Sequence, residues 1–433
     1  MTRDETIEAI RTVLRDHMNN KHLGAFHPGA RLNSDLYLDS VLLLQLFLNL
    51  ELEFGLTAPE EAIAAVDLDT VADVAALFCE APADRAVETP VAADTGLGVH
   101  GEDYVDLKIH CFVSCLCAGL KERGIDHRPF YFGVWDADFG VDERFRLLYH
   151  APSVSHEPFR LWFQRLYGAE IRAWYDHAAG KEENLRTLVG LLGRRRPSEQ
   201  VMVMLDMFHL PERENKFNQN PFPHYLMLET TDDPDVWQVL DPDFRWEGKI
   251  ARSTVVNAIM QPTVGGGYVF DRADMRVPHP ADLDAWFAAC FKPDINPLNS
   301  ALRAIVEAHL GGEGVLAHAD LEGALRELPV ISIRKYAYEH GFAFFWRALK
   351  LPDAEFQRWC DEIEALALGY KALHYAAMKL ARTGSAADRD EVLADLDRLD
   401  LLELRIKGRL GEVHALWRVR EGLGHSGGLR RAG

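Results

Sequence analysis

The spacing of apolar residues changes along this chain, and the changes divide it. Ile7, Ile10, Val13 and Leu14 recur at helical intervals and predict an amphipathic helix over residues 4–17. A loop through Gly24, Pro28 and Gly29 leads to Asp39-Ser40. There an apolar run predicts a second helix to about Phe54, with Ser40 at its start and Gly55 as its C-cap. A short turn follows Pro59, and another helix spans Thr70 to Phe78. Ala81 to Gly101 is rich in Ala, Pro, Asp and Gly, has no apolar period, and reads as a linker that sets residues 1–80 apart.

Beyond the linker, residues 81–103, the pattern mixes two periods. Leu107-Lys108-Ile109 is a short extended run, followed by a helix entered at Cys111. Pro129 to Val134 reads as a strand, residues 156–167 and 182–193 as helices, and Gln200 to Asp206 as a buried strand. After a polar loop from Pro211 to Pro223, His224–Glu229 and Val236–Asp241 read as hairpin arms around Asp232-Asp233-Pro234. A register that pairs Glu229 with Val236 sets His224 opposite Asp241, with Cβ atoms about 4.5–5.5 Å apart. Gly265-Gly266-Gly267 lacks the Gly-Lys-Ser/Thr ending of a phosphate loop and reads as a turn or flap. From about Ala281 the pattern is helical over residues 298–310, 330–349, 353–383 and 387–420. The long pair after Pro352 predicts antiparallel helices packed on the central domain or on a second copy, as in a homodimer. The Gly-rich tail, residues 422–433, is expected to be disordered. The fold class is α+β: a helical unit over residues 1–80, a mixed domain over 104–280 and a helical region over 281–421.

Length and composition narrow the function classes. A chain of 433 residues with 48% hydrophobic and 26% charged residues is expected to form two or three ordinary soluble domains. No apolar run reaches the roughly 18 residues of a membrane span, and the N-terminus lacks a signal peptide's apolar core. The six cysteines, Cys79, Cys111, Cys115, Cys117, Cys290 and Cys360, have no disulfide spacing, so a reduced cytoplasmic setting is the simple expectation. A net charge of −20 argues against nucleic-acid binding. Residues 1–80 hold 14 acidic against 5 basic side chains, which suits docking to basic patches on partner enzymes.

A cysteine at a helix N-terminus is where a thiolate is best stabilised, because unpaired N–H groups and the helix dipole favour negative charge. Cys111 has that position, and Cys115 follows one turn deeper as its rival. A histidine takes a thiol's proton and a carboxylate holds the ring in the working tautomer. His224 and Asp241 are the pair the hairpin offers, with Asp243 as the alternative acid. Asp206 either lines the site or caps the loop after its strand, and His209 reads as a surface-loop histidine. His110, Cys111, Cys115 and Cys117 lack C-x-x-C spacing, and no metal site is expected.

Two family resemblances join these residues. The helix layout of residues 1–80 and Leu38-Asp39-Ser40 closely resemble an acyl or aryl carrier protein, although Tyr37-Leu38 stands where many carriers have a glycine. The resemblance implies a four-helix fold with 4'-phosphopantetheine covalently attached to Ser40. It also implies a phosphopantetheinyl transferase and an adenylating enzyme as partners. Cys111-x-x-Ser114, then Leu205-Asp206-Met207-Phe208-His209-Leu210-Pro211, His224 and Val239-Leu240-Asp241-Pro242 resemble the butirosin-biosynthesis acyltransferase family over residues 104–270. By overall pattern the chain also resembles petrobactin-type siderophore aryl transferases. The likeness to the butirosin-biosynthesis family implies a papain-like domain with Cys111, His224 and Asp241 as nucleophile, base and orienting acid. The expected function is amide-forming transfer of an acyl or aryl group from the carrier thioester to an amine, a polyamine such as spermidine in siderophore or other natural-product biosynthesis. Asp136, Asp138, Asp142, Glu143, Asp232 and Asp233 are the acids expected to hold its ammonium groups. A thioesterase or peptidase with the same triad, and a non-catalytic carrier scaffold, are the alternatives.

Overall fold

The structure, a computed structural model, describes residues 1–38, 40–59, 63, 68–79, 109–151, 153–211, 220–311 and 316–423. The expected linker, Asp39, most of the turn after Pro59, Leu107-Lys108 and the tail beyond residue 423 lie outside them.

Three helices make the described N-terminal unit: α1 (Arg3–Asp16), α2 (Ser40–Phe54) and α3 (Val71–Cys79). A capping box opens α1, with Thr2 Oγ1 accepting from Glu5 N at 3.3 Å and Glu5 Oε2 accepting from Thr2 N at 2.8 Å. Thr70 and Asp73 cap α3 in the same reciprocal way. Gly55 closes α2 at φ +67°, a conformation that costs glycine little. The buried Ile10, Val13 and Leu14 face one core with Leu44, Phe47, Leu48, Val71 and Val74.

The central domain starts with α4 (Cys111–Glu122), followed by the two-stranded β1 (Gly140–Val141) and β2 (Leu147–Leu148) and by α5 (Glu157–Tyr167). Next come β3 (Arg172–Ala173), α6 (Lys181–Arg194), β4 (Glu199–Asp206), β5 (Pro223–Thr230), β6 (Val236–Asp241), β7 (Trp246–Ala251), α7 (Arg252–Met260) and β8 (Gly267–Asp271). The sheet is antiparallel, in the order β3-β8-β4-β5-β6-β7. Its central strands β4 and β5 are apolar over most of their length because both faces are covered. Val201, Val203, Leu205, Leu226 and Leu228 join the core that includes Leu188, Leu192 and Val255 of α6 and α7. Met202, Met204, Tyr225 and Met227 join the core that holds α4.

Two expectations for this domain are corrected. Pro129–Val134 is not a strand but lies largely in a 3-10 helix, Arg128–Gly133, with Pro129 in its first turn. A short apolar run carries no signal that separates a buried strand from a buried helical turn. Here Phe130, Tyr131 and Phe132 point into different parts of the core, and any Cβ on Gly133 would stand 2.6 Å from Trp286. The β5–β6 register pairs Thr230 with Trp237 and Met227 with Leu240, two positions from the expected one. The connection keeps its length and moves along by one residue, and Thr231 Oγ1 lies 2.9 Å from the carbonyl oxygens of both Asp233 and Val236. An even shift keeps every side chain on its face, so His224 and Asp241 still share one.

The helical region holds α8 (Pro280–Cys290), α9 (Pro297–Leu310), α10 (Ala337–Leu349), α11 (Asp353–Thr383) and α12 (Ala386–Arg420). Gly384 and Ser385 turn α11 into α12, and the two pack on each other and on α10. One core runs from α4 through Phe132, Trp135 and Phe345 to Leu410 and Trp417, so the helices cover the central domain of the same chain. Residues 330–349 are not one helix. A short helix, Leu328–Ser332, passes into a 3-10 segment, Ile333–Tyr336, before α10 begins. That break buries the adjacent cations Arg334 and Lys335, which both reach the segment 135–138.

Candidate active site

Cys111 is the first residue of α4, and His110 before it has extended backbone but makes no side-chain cap. The helix start is held from another element. Asp243, in the loop after β6, accepts from Ile109 N and His110 N, each at 3.2 Å, and from Ser114 Oγ at 2.7 Å. Burial pushes the Asp243 carboxyl above the usual carboxylate range, against the opposing effects of nearby His224 and Ser114. Asp243 therefore anchors the start of α4 rather than pairing with His224.

His224 Nε2 and Asp241 Oδ1 are 2.9 Å apart, and both side chains are sealed from solvent. The Cys111 thiol lines one cavity with His224 and Tyr149 and acts electrostatically on both. With Nε2 engaged by Asp241, Nδ1 is the ring nitrogen left for the thiol. Burial disfavours the imidazolium, yet Asp241 and Cys111 overcome it and raise the His224 pKa to about 10. Phe222 and Phe244 flank the ring at centroid distances of 6.0 and 5.2 Å.

A cavity opens over Cys111 and His224, with Tyr149, His156, Tyr225 and Arg334 among its walls. Burial lowers His156 to a pKa of about 4, and drives His110 well below its ordinary value, with Arg334 adding to the effect. Both rings are thus neutral at pH 7, and His110 Nδ1 has no hydrogen-bond partner among the described residues. Arg334 enters from the helical region and donates to the Asp138 carbonyl at 3.1 Å, with its guanidinium 5.7 Å from the centre of the Tyr149 ring. Tyr149 Oη donates to the Pro223 carbonyl at 2.8 Å, and Glu327 accepts from Tyr149 N.

Other sequence candidates stand elsewhere. Cys115 is fully buried, with its thiol 3.6 Å from the Tyr225 carbonyl oxygen, and burial raises its pKa well above the thiol range. Asp206 accepts from Phe222 N at 2.8 Å and Phe208 N at 3.1 Å, which ties down the loop after β4. Neither belongs to the cavity wall. His209 is partly exposed in a 3-10 turn beside that loop. Of the acids expected to bind ammonium groups, Asp136 is buried between Lys335 and Lys407, and Asp142 is bonded to Arg146. Asp232 and Asp233 sit at the far tip of the hairpin, six or more residues from His224 and therefore about 20 Å away along the strand.

Sequence reasoning missed Tyr149, His156 and Arg334. The single available signal was Arg334-Lys335 interrupting an otherwise apolar helical stretch. Cavity walls drawn from distant segments leave no local pattern.

Comparison with known proteins fits this layout. Models of the DUF6005 N-terminal domain and the DUF6005 C-terminal domain match residues 106–275 and 281–427. The chain is 39% identical to petrobactin synthase of Bacillus anthracis over 313 residues, which covers 72% of this chain and 96% of that protein. It is also 33% identical over 63 residues to acyl carrier protein AsbD of the same organism, 14% of this chain and 69% of that protein. With both DUF6005 domains in tandem and this likeness over nearly the whole relative, the chain belongs to the same protein family as petrobactin synthase.

Proposed function

We propose that this protein is a carrier-linked acyltransferase of siderophore biosynthesis that moves an acyl or aryl group from a thioester on Ser40 to an amine. The observation that carries the reading is the sealed His224–Asp241 pair set against Cys111 at the head of α4. The likeness to petrobactin synthase and to an acyl carrier protein supports the siderophore setting and the carrier role.

Ser40, the first residue of α2, offers the hydroxyl that a phosphopantetheine group requires. When bound, that group supplies a thiol on which the acyl group is held as a thioester. Cys111 yields its proton to His224, and its thiolate takes the acyl group as a thioester of its own, while N–H groups at the start of α4 stabilise the oxyanion; His224 then returns the proton to the sulfur that leaves, which restores the ring as a base. Asp241 keeps the imidazolium in place. An amine then attacks the acyl-Cys111 carbonyl carbon, His224 takes the amine's proton, and the C–S bond breaks to release Cys111 and the amide. The domain reads as papain-like, with the base on a strand and the nucleophile on a helix.

Arg334 favours a neutral nitrogen at the point of attack, because a second cation beside a buried guanidinium is disfavoured. A polyamine acceptor therefore keeps its distal ammonium groups outside the cavity. Such binding weakens as salt rises.

The test begins with coenzyme A and a phosphopantetheinyl transferase, which should add one pantetheine mass to wild type and none to Ser40→Ala. The loaded chain is then offered spermidine, neutral amines and water in competition. Spermidine amide should dominate. Free acid as the main product would make the protein a thioesterase, and equal use of neutral amines would remove the polyamine assignment. If blocking Cys111 changed nothing, the domain would be a scaffold.

A further inference from the structure

The helix that Ser40 opens is apolar on nearly every side. Leu44, Leu46, Phe47, Leu48 and Leu50 are all buried, and they span more than half the circumference of α2. The described N-terminal helices account for one side of that burial. On the other side α2 packs on α11, and Tyr375 and Met378 of α11 belong to the same buried cluster as the N-terminal core. Polar contacts border the apolar ones. Glu51 accepts from the Tyr375 hydroxyl at 2.5 Å and from Lys379 Nζ at 2.8 Å. At the other end Gln45 Nε2 donates to Glu322 at 2.8 Å, and Glu322 also accepts from Arg382 at 3.0 Å. Side-chain exposure of the Lys379–Glu51 pair is 25% and 14%, so the pair is largely shielded from screening by solvent.

We propose that the face of α11 carrying Tyr375, Met378 and Lys379, with Glu322, is a seat for this chain's own carrier helix α2, and that the tethered carrier is thereby the preferred donor. The proposal rests on the carrier reading of residues 1–80. A seat of this chemistry takes an apolar helix with one acid at the position of Glu51. Here the tether always supplies one. A carrier on a second chain meets the same face already occupied, which makes transfer between chains slow. The relatives in Bacillus anthracis are separate synthase and carrier proteins, so the joined chain turns an encounter into an intramolecular fit.

Full-length chains test the seat. Hydrogen exchange over the α11 stretch from Tyr375 to Arg382 should quicken by about tenfold or more in Glu51→Lys and in Lys379→Glu. It should return toward wild type in the Glu51→Lys/Lys379→Glu double variant, where the charges are swapped. Single-turnover transfer within one chain should fall by about threefold to tenfold and not vanish in the single variants, because covalent linkage alone gives roughly millimolar effective concentration. For transfer between chains, a loaded Cys111→Ala chain is mixed with a Ser40→Ala chain. That reaction should be slow, and Glu51→Lys added to the Ser40→Ala chain should speed it by opening its seat. Unchanged exchange in both single variants, or fast transfer between chains with the seat intact, overturns the proposal. The exchange measurement needs neither arm nor activity. A chain that takes up no pantetheine would refute the carrier reading and still leave the α2–α11 contact decided.

Discussion

Two buried clusters of charge lie on either side of the segment 135–138, and they are built to opposite rules. In one, Glu403 accepts from Lys335 Nζ at 2.6 Å, the Tyr338 hydroxyl at 2.9 Å and the Tyr370 hydroxyl at 3.1 Å. Asp136 accepts from Lys335 at 3.0 Å and Lys407 at 2.7 Å, and the lysines also donate to the carbonyls of Trp135 and Ile295. Two cations meet two anions, and the three ammonium protons of Lys335 are all engaged. In the other, His224 and Asp241 pair beside Cys111, while the hydrogen bonds of Arg334 go, among the described residues, to backbone carbonyls. Both clusters exclude solvent, and the second borders the cavity over Cys111. Buried charge that is fully matched fixes one packing of the helical region on the central domain. Buried charge left partly unmatched at a cavity is available to a substrate.

The largest contrast comes from removing the central member of each cluster. Cys111→Ala should lower transfer by at least about a thousandfold with no loss of thermal stability, since triad members act as a unit. Glu403→Ala should do the reverse. It leaves Lys335 short of a counter-charge and two tyrosines unpaired, at a cost of about 3–5 kcal/mol. Calorimetry beside a transfer assay separates the two, and a Glu403 variant of normal stability would refute the matched-network reading. The neighbours Arg334 and Lys335 divide the same way. Arg334→Gln should slow transfer with a small stability change, and Lys335→Gln should destabilise by about 3 kcal/mol or more.

The triad itself can be ranked. His224→Ala should approach the loss seen for Cys111→Ala, and Asp241→Asn should cost less than either. Ring titration by NMR gives the physical reason. His224 should titrate near pH 10 in wild type. In Asp241→Asn it should titrate below the ordinary value of about 6.5, because burial is then opposed by less. The linkage sign follows. A folded-state pKa above the unfolded one contributes stability that is fully present below about pH 6.5 and lost as pH rises through about 10, a loss Asp241→Asn should abolish. The smallest effect belongs to Cys115→Ala. It removes a buried sulfur away from the cavity, so transfer should stay within about twofold and stability within about 1–2 kcal/mol.

Local chemistry explains what could be read in advance. Helix spacing and Gly55 announced α1 to α3, and the long periodic runs announced α11 and α12, because each signal acts within a turn or two of itself. Cys111 at a helix start and two alternating hairpin arms were enough to nominate Cys111, His224 and Asp241. The expected register was off by two, and the choice survived because side-chain direction in a strand depends only on parity. The strand proposed for Pro129–Val134 failed where local signals are weakest, in a short apolar run whose shape is set by what packs on it.

Tertiary structure alone decided the rest. Asp243 reaches back across the chain to hold Ile109, His110 and Ser114, and no spacing in the sequence announces a bond between residues 129 or more apart. Arg334 faces the cavity while Lys335 enters the sealed network, and the separation comes from a 3-10 turn that helical periodicity read as α-helix. Asp136 looked like a substrate-binding acid and is instead consumed by two lysines brought from the far end of the chain. Charge identity is written in the sequence. Whether a charge meets a partner, solvent or a cavity depends on long-range packing.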